Sequence, residues 1–219
     1  MDCINNKLRW DGLILGLLLG FAVSAGIEIS AELLNRVLEK YGEQAAERVS
    51  DWQALVADRS IVSDEQKLQR ANDFFNQRIE FKDDRLVWGK EDYWATPLEF
   101  LARGVGDCED FSIAKYFTLR ELGVSDEKMR LTYVKAVELN QHHMVLTYYA
   151  TPASVPVVLD NLISEIKRAS ERKDLLPVYS FNGTGLWLAK FRGMGKLVGQ
   201  SDRVGLWRIL KERMLSPDF

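Results

Sequence analysis

Gly104-Val105-Gly106-Asp107-Cys108-Glu109-Asp110-Phe111 is the stretch on which the reading of this chain turns. Two glycines loosen the backbone before the cysteine, and Gly123 stands where a helix C-cap belongs. The spacing predicts a helix that starts at Cys108 and ends near Leu122. The free N–H groups and dipole at such a start favour negative charge, a thiolate included. A lone cysteine is more often a small buried hydrophobe. Carboxylates at 107, 109 and 110 speak against apolar burial here and for a reactive thiol.

Upstream, Thr96-Pro97-Leu98-Glu99 is a helix start, with Thr96 as N-cap, Pro97 in the first turn and Glu99 reaching back. That helix ends at Gly104 and runs straight into the cysteine helix. Ala31 to Tyr41 has apolar residues at helical spacing, and Ser63 to Gln66 fits a capping box for a helix reaching about Gln77. Trp52 and Leu55 read as core contacts, and Phe81 to Tyr93 as a loop. Downstream the period changes to two. Met129–Glu138, His143–Tyr149 and Val155–Leu159 read as strands close enough in sequence to form an antiparallel meander. Ile163 to Arg172 reads as a short exposed helix. Pro177–Phe181 and Leu186–Phe191 read as strands around an Asn182-Gly183 turn, and Val204–Met214 as a closing amphipathic helix. Helices first and sheet second define an α+β class, with N-terminal helices packed on an antiparallel sheet.

The first 25 residues differ in kind. Lys7 and Arg9 precede an apolar run from Gly12 to Val23, and Val23-Ser24-Ala25 offers small residues for a signal peptidase. The run is shorter than the ~20 residues that span a bilayer comfortably. Residues 1–25 are therefore expected to be a cleaved secretory signal, with an uncleaved signal anchor as the alternative, and residues 26–219 a single domain. The charges removed with the signal (Asp2, Lys7, Arg9, Asp11) cancel, so the mature chain keeps a net charge of -3. That is too near neutral to indicate nucleic-acid binding. It also keeps one cysteine, Cys108, which has no intramolecular partner for a disulfide.

A thiol nucleophile needs a base, and the base a third group to orient it. The chain has two histidines, His142 and His143, which an extended strand points to opposite faces. Strand phase does not choose between them. Asp160 closes the following strand and lies within reach of its neighbour, although an Asp-Asn pair after a strand is commonly a plain turn.

The order cysteine on a helix, then histidine and aspartate on successive strands, comes with a set of recognisable words. These are Trp94-Ala95-Thr96-Pro97-Leu98-Glu99, Gly106-Asp107-Cys108-Glu109-Asp110, Lys115-Tyr116, His143-Met144-Val145-Leu146 and Leu159-Asp160-Asn161. Over roughly residues 45–190 the chain resembles the bacterial transglutaminase-like cysteine proteinases, in particular their LapG-type periplasmic members. The resemblance implies a papain-like, transglutaminase-type core and a catalytic triad of Cys108, His143 and Asp160, the histidine being the one before Met-Val-Leu. It implies Ca2+ dependence, with Asp107 and Glu109 as ligands and Asp110 as a further one. Spacing by itself favours the plainer reading, in which these carboxylates only complement a helix start, and the resemblance reverses that preference. The implied function is a periplasmic endopeptidase that cuts the N-terminal region of a large repeat-rich surface adhesin and so disperses a biofilm. The implied regulator is an inner-membrane cyclic-di-GMP receptor that sequesters the protease. Other outcomes open to the same residues are a transglutaminase or amidase, and a catalytically silent binding domain. Trp94 and Tyr116 read as core, and the Cys108 N–H as one oxyanion donor.

Overall fold

The computed structural model describes residues 29–190 and 193–215. The export signal expected over residues 1–25 lies outside them. Among the described residues no helix is long and apolar enough to cross a membrane.

Helix α1 (Ala31–Tyr41) occupies the predicted span and is capped by Ser30, whose side chain accepts from the Leu33 N–H. Gly42, at φ 86°, turns the chain into α2 (Glu43–Ala57), a helix that the sequence reading left as isolated core contacts. Its buried residues Ala45, Val49, Trp52 and Leu55 form one helical stripe. Helix α3 (Asp64–Arg78) opens on the expected Ser63–Gln66 capping box. The stretch expected as a loop holds β1 (Glu80–Phe81) and the short α4 (Asp84–Val87). Helix α5 (Pro97–Arg103), capped by Thr96 and Glu99, leads into β2 (Val105–Gly106), which pairs parallel with β1. Then comes α6 (Cys108–Glu121).

The rest is a seven-stranded antiparallel sheet and a final helix. Strands β3 (Met129–Ala136), β4 (Gln141–Tyr148), β5 (Val157–Leu159) and β6 (Lys167–Arg168) form the meander. Strand β7 (Leu175–Phe181) returns beside β3, followed by β8 (Gly185–Lys190) and β9 (Gly193–Gln200). The order is β6-β5-β4-β3-β7-β8-β9. Helix α7 (Gly205–Met214) closes the chain. Two expectations are corrected. Residues 163–172 do not form an exposed helix: Lys167 and Arg168 pair with β5, a 3-10 turn follows at Ala169–Glu171, and Arg172 is buried. Strand β9 was not expected, because its glycines and two register shifts against β8 erase the alternation that marks a strand.

Helix α6 is the axis of this arrangement. Ten of its fourteen residues are buried, as befits a helix enclosed on all sides. Ile113, Tyr116 and Leu119 pack against the sheet through Leu131, Leu146 and Phe181. Phe111 and Ala114 pack against α2, α3 and α5. The Trp52 indole N–H donates to Thr118 Oγ1 at 2.8 Å, tying α2 to α6 across the core. The sequence expectation of helices on one face of an antiparallel sheet therefore holds.

Candidate active site

Local geometry places Cys108. Gly104 terminates α5 in the left-handed conformation, φ 69°, with its N–H on the Phe100 carbonyl. A Cβ on Gly106 would lie 2.4 Å from Asp110 Oδ2 and 2.6 Å from the Phe100 ring, so this position admits no side chain. Asp107 is the N-cap and accepts the Glu109 N–H; Asp110 answers by accepting the Asp107 N–H at 3.4 Å. Asp110 Oδ1 also accepts the Ala95 N–H at 2.7 Å, fastening the Trp94–Ala95 loop to the helix start. The carboxylates do complement the helix N-terminus, but that does not use them up.

The thiol is buried, with Cys108 only 9% exposed, which the surrounding carboxylates had argued against. It donates a hydrogen bond to Glu109 Oε2 at 2.7 Å. Burial first, then the charges of Glu109 and Asp107, push the thiol well above its ordinary range, and the Met144 backbone N–H opposes the rise only in part. Ser112, one turn further along α6, donates to the Met144 carbonyl at 3.0 Å. The sulfur thus rests against β4 one residue beyond His143.

His143 is buried and its Nε2 lies 2.7 Å from Asp160 Oδ1. His142 is exposed and stacks on Tyr133, ring centroids 5.3 Å apart. Register decides this: β5 ends opposite Leu146, so Asp160 comes off the strand beside the start of β4. Asp160 is held from every side. Its Oδ1 also accepts the Leu162 N–H, its Oδ2 accepts Arg172 Nη2 at 2.8 Å, and its carbonyl accepts from Asn76 Nδ2 and Lys115 Nζ. Burial alone would raise the carboxyl; the His143 hydrogen bond and charge, the Leu162 N–H and Arg172 bring it down to about 2. Burial lowers the Lys115 ammonium to about 7, with Asp160 and Asp73 working against the fall. Sequence reasoning missed Arg172 altogether. His143 and Asp160 are joined, whereas the thiol donates to Glu109.

The second feature is a nest of acids. Asp107 and Glu109 group with the thiol, and Asp107 also groups with Asp110 and Asp84, the ligand atoms of each group within 4.8 Å of one another. Asp84 was not singled out from sequence. The parallel pairing of Glu80 with Val105 and Phe81 with Gly106 carries it there. It is 2% exposed, one oxygen accepts the Tyr93 N–H, and the other is buried without a hydrogen-bond partner. Burial and then Glu109, Asp92 and Asp83 raise it to about 6. Asp107 and Asp110 are raised further, again by burial first and then by their acidic neighbours. Trp94 and Tyr116 are buried, as expected; Trp94 stacks on Phe181 at 5.7 Å.

A family profile described as "Bacterial transglutaminase-like cysteine proteinase BTLCP" matches residues 38–181. The chain belongs to this family. Solved structures of Legionella pneumophila LapG align over 85% of the proteinase. The EGTA-treated form is 43% identical, with 98% of its own chain covered and a TM-score of 0.73. The calcium-bound form is 43% identical, with 99% covered and a TM-score of 0.71. Comparison with curated proteins gave no match. The fold is therefore that of the LapG structures, with α6 and the β4–β5 corner inside the matched region of the proteinase.

Proposed function

We propose that the proteinase is a calcium-dependent endopeptidase of the periplasm in which Cys108 is the nucleophile, His143 the general base and acid, and Asp160 the group that orients the imidazole. The observation that carries this reading is the 2.7 Å bond between His143 Nε2 and Asp160 Oδ1, one residue along β4 from where the Cys108 thiol packs. With Nε2 committed to Asp160, the other ring nitrogen is left to take the thiol proton. Sγ attacks the scissile carbonyl, and His143 returns the proton to the leaving amine. Water, deprotonated by the same imidazole, then cleaves the thioester. The Cys108 N–H, at the free end of α6, is placed to donate to the oxyanion.

The acids around the thiol fit a hard divalent cation. Oxygen donors are what Ca2+ takes, and an orphaned buried carboxylate oxygen on Asp84 marks an incomplete site. Asp84, Asp107, Glu109 and Asp110 would hold the ion, with carbonyls or water completing the roughly 6–8 oxygens that it needs. When bound, it supplies positive charge to a buried acidic cluster. A cation held there would give Glu109 a partner other than the thiol and would leave Cys108 free to give its proton to His143. Similarity to LapG structures solved both calcium-bound and EGTA-treated supports this dependence.

The family likeness also supports the remaining parts of the reading. The substrate is the N-terminal region of a large repeat-rich adhesin, cut at a small-residue, di-alanine site, so that the adhesin leaves the cell and the biofilm disperses. An inner-membrane cyclic-di-GMP receptor holds the protease back. The basic-then-apolar pattern of residues 1–25 supports export. The test is incubation of purified protein with the N-terminal fragment of a repeat-rich adhesin encoded beside it, in Ca2+ and in EGTA, with sequencing of the new N-terminus. A single cut between small residues, seen in Ca2+ and lost in Cys108→Ala, is expected. An uncut fragment in Ca2+ removes the adhesin, and cutting by Cys108→Ala removes the nucleophile.

A further inference from the structure

The bond between His143 and Asp160 is the inner half of a longer chain of alternating charge. Arg172 Nη2 reaches Asp160 Oδ2 at 2.8 Å, and the same nitrogen reaches Asp174 Oδ2 at 2.8 Å. Arg172 Nε lies 3.0 Å from Asp174 Oδ1. Asp174 is in turn fixed to the end of β3, where its carbonyl accepts the Val137 N–H at 2.8 Å. The order His143, Asp160, Arg172, Asp174 runs from the buried imidazole to a partly exposed carboxylate.

We infer that Arg172 is the positioning residue of Asp160, holding Oδ2 so that Oδ1 stays turned toward His143. The inference rests on the reading of Asp160 as the residue that orients the imidazole. A buried carboxylate with one strong partner is free to swing about its terminal torsion, which is a broad one. Here Oδ1 has His143 and the Leu162 N–H, and Oδ2 has the guanidinium, so both oxygens are assigned. The guanidinium suits the task because its planar fork spans two carboxylates at fixed geometry and it never gives up its proton. It also keeps Asp160 ionised in a place where the side chain has no exposed surface. Asp174 keeps Arg172 in place by accepting from both Nε and Nη2 of a side chain that is only 5% exposed.

The other side of Arg172 gives a way to test this. It lines a cavity of about 520 Å3 on the sheet face away from α6, together with Val145, Thr147, Val158, Ala169 and Leu175. Its Nη1 is buried without a hydrogen-bond partner. A small guanidinium ion therefore has a route to the site once the side chain is cut back.

The experiment uses the full chain in Ca2+, with adhesin-fragment cleavage and Cys108 alkylation as parallel readouts, on Arg172→Ala, Arg172→Lys, Asp174→Asn and Asp160→Asn. For Arg172→Ala, kcat and the alkylation rate should fall about 10- to 100-fold, the scale set by outer partners of a functional histidine, with KM little changed. Tens of millimolar guanidinium, against a urea control, should restore part of the kcat. Arg172→Lys should recover less than the wild-type rate because a point charge does not reproduce the fork. Asp174→Asn retains the Arg172 side chain but weakens what holds it, and should lower kcat by a smaller factor. An Arg172→Ala protein that folds and keeps its kcat overturns the proposal. So does a loss of kcat that guanidinium leaves untouched, which makes Arg172 merely structural. If Arg172→Ala does not fold, Asp174→Asn decides, and an unchanged kcat there overturns it. Full activity in Asp160→Asn instead removes the triad reading, a result distinct from failure of Arg172 variants alone.

Discussion

Cys108 Sγ lies 2.7 Å from Glu109 Oε2, so the thiol donates to an acid when its chemistry calls for a base. Helix N-termini usually promote a thiolate, but here burial and two flanking carboxylates outweigh the dipole. The arrangement is a thiol held in reserve by the residues proposed to bind Ca2+.

Alkylation should report that reserve directly. Iodoacetamide modification of Cys108 at neutral pH should be slow in EGTA and rise at least about tenfold in Ca2+. Glu109→Gln should be alkylated faster than wild type in EGTA, since the acceptor's charge is gone, and should no longer respond to Ca2+. Equal wild-type rates in Ca2+ and EGTA, measured by mass spectrometry, would separate the thiol from the ion.

Calcium should also appear in stability. An ion that binds only the folded chain, at about 100 times its Kd, should raise Tm by roughly 5–10 °C for a protein of this size. Mg2+ should do so poorly, because it demands tighter octahedral geometry. Asp84→Asn should shrink the shift as much as Asp107→Ala and Glu109→Ala do. A thermal scan in which Asp84→Asn keeps the full shift takes Asp84 out of the ligand set.

The adjacent histidines should behave very differently. His143→Ala should abolish cleavage, because Asp160 then has no imidazole to orient. His142→Ala should stay substantially active, losing an exposed ring that stacks on Tyr133. Cleavage kinetics with the dead variant at 142 would invert the assignment.

Asp160 gives a pH signature. Its folded carboxyl sits at about 2, below the unfolded value of about 3.9, so it stabilises the fold above that value. The contribution, roughly 2 kcal/mol, should fade as pH falls from about 4 to about 2. Urea unfolding of wild type and Asp160→Asn should therefore differ near neutrality and converge toward pH 2. A difference that stays constant over that range would mean that the carboxylate charge is not what stabilises.

Gly106→Ala should be costly for so small a change. Its methyl would collide with Asp110 Oδ2 and Phe100, and relief would shift the N-cap that aims Cys108. A loss of about 1–3 kcal/mol in urea unfolding, with cleavage impaired beyond what stability explains, is expected. A variant with wild-type unfolding and kcat would show that the loop can give.

Short-range signals made much of this protein legible before any coordinates. The capping boxes at Ser63 and Thr96 are reciprocal contacts within three residues, and α3 and α5 begin where they require; apolar spacing marked α1, and the glycines before Cys108 marked the start of α6. Alternation over a few residues located the β3–β5 meander, and the order cysteine, histidine, aspartate followed from it. Where local pattern was weak, the reading failed: α2 was passed over, and the glycines of β9 hid a strand. The remaining decisions belong to contacts between distant parts of the chain. The β4–β5 register chose which histidine meets Asp160, and the β1–β2 pairing brought Asp84 to Asp107. Arg172 lies in a charged segment that locally resembles a solvated helix. Burial against Asp160 turns it inward, because a buried carboxylate demands a compensating charge whatever its neighbours in sequence prefer.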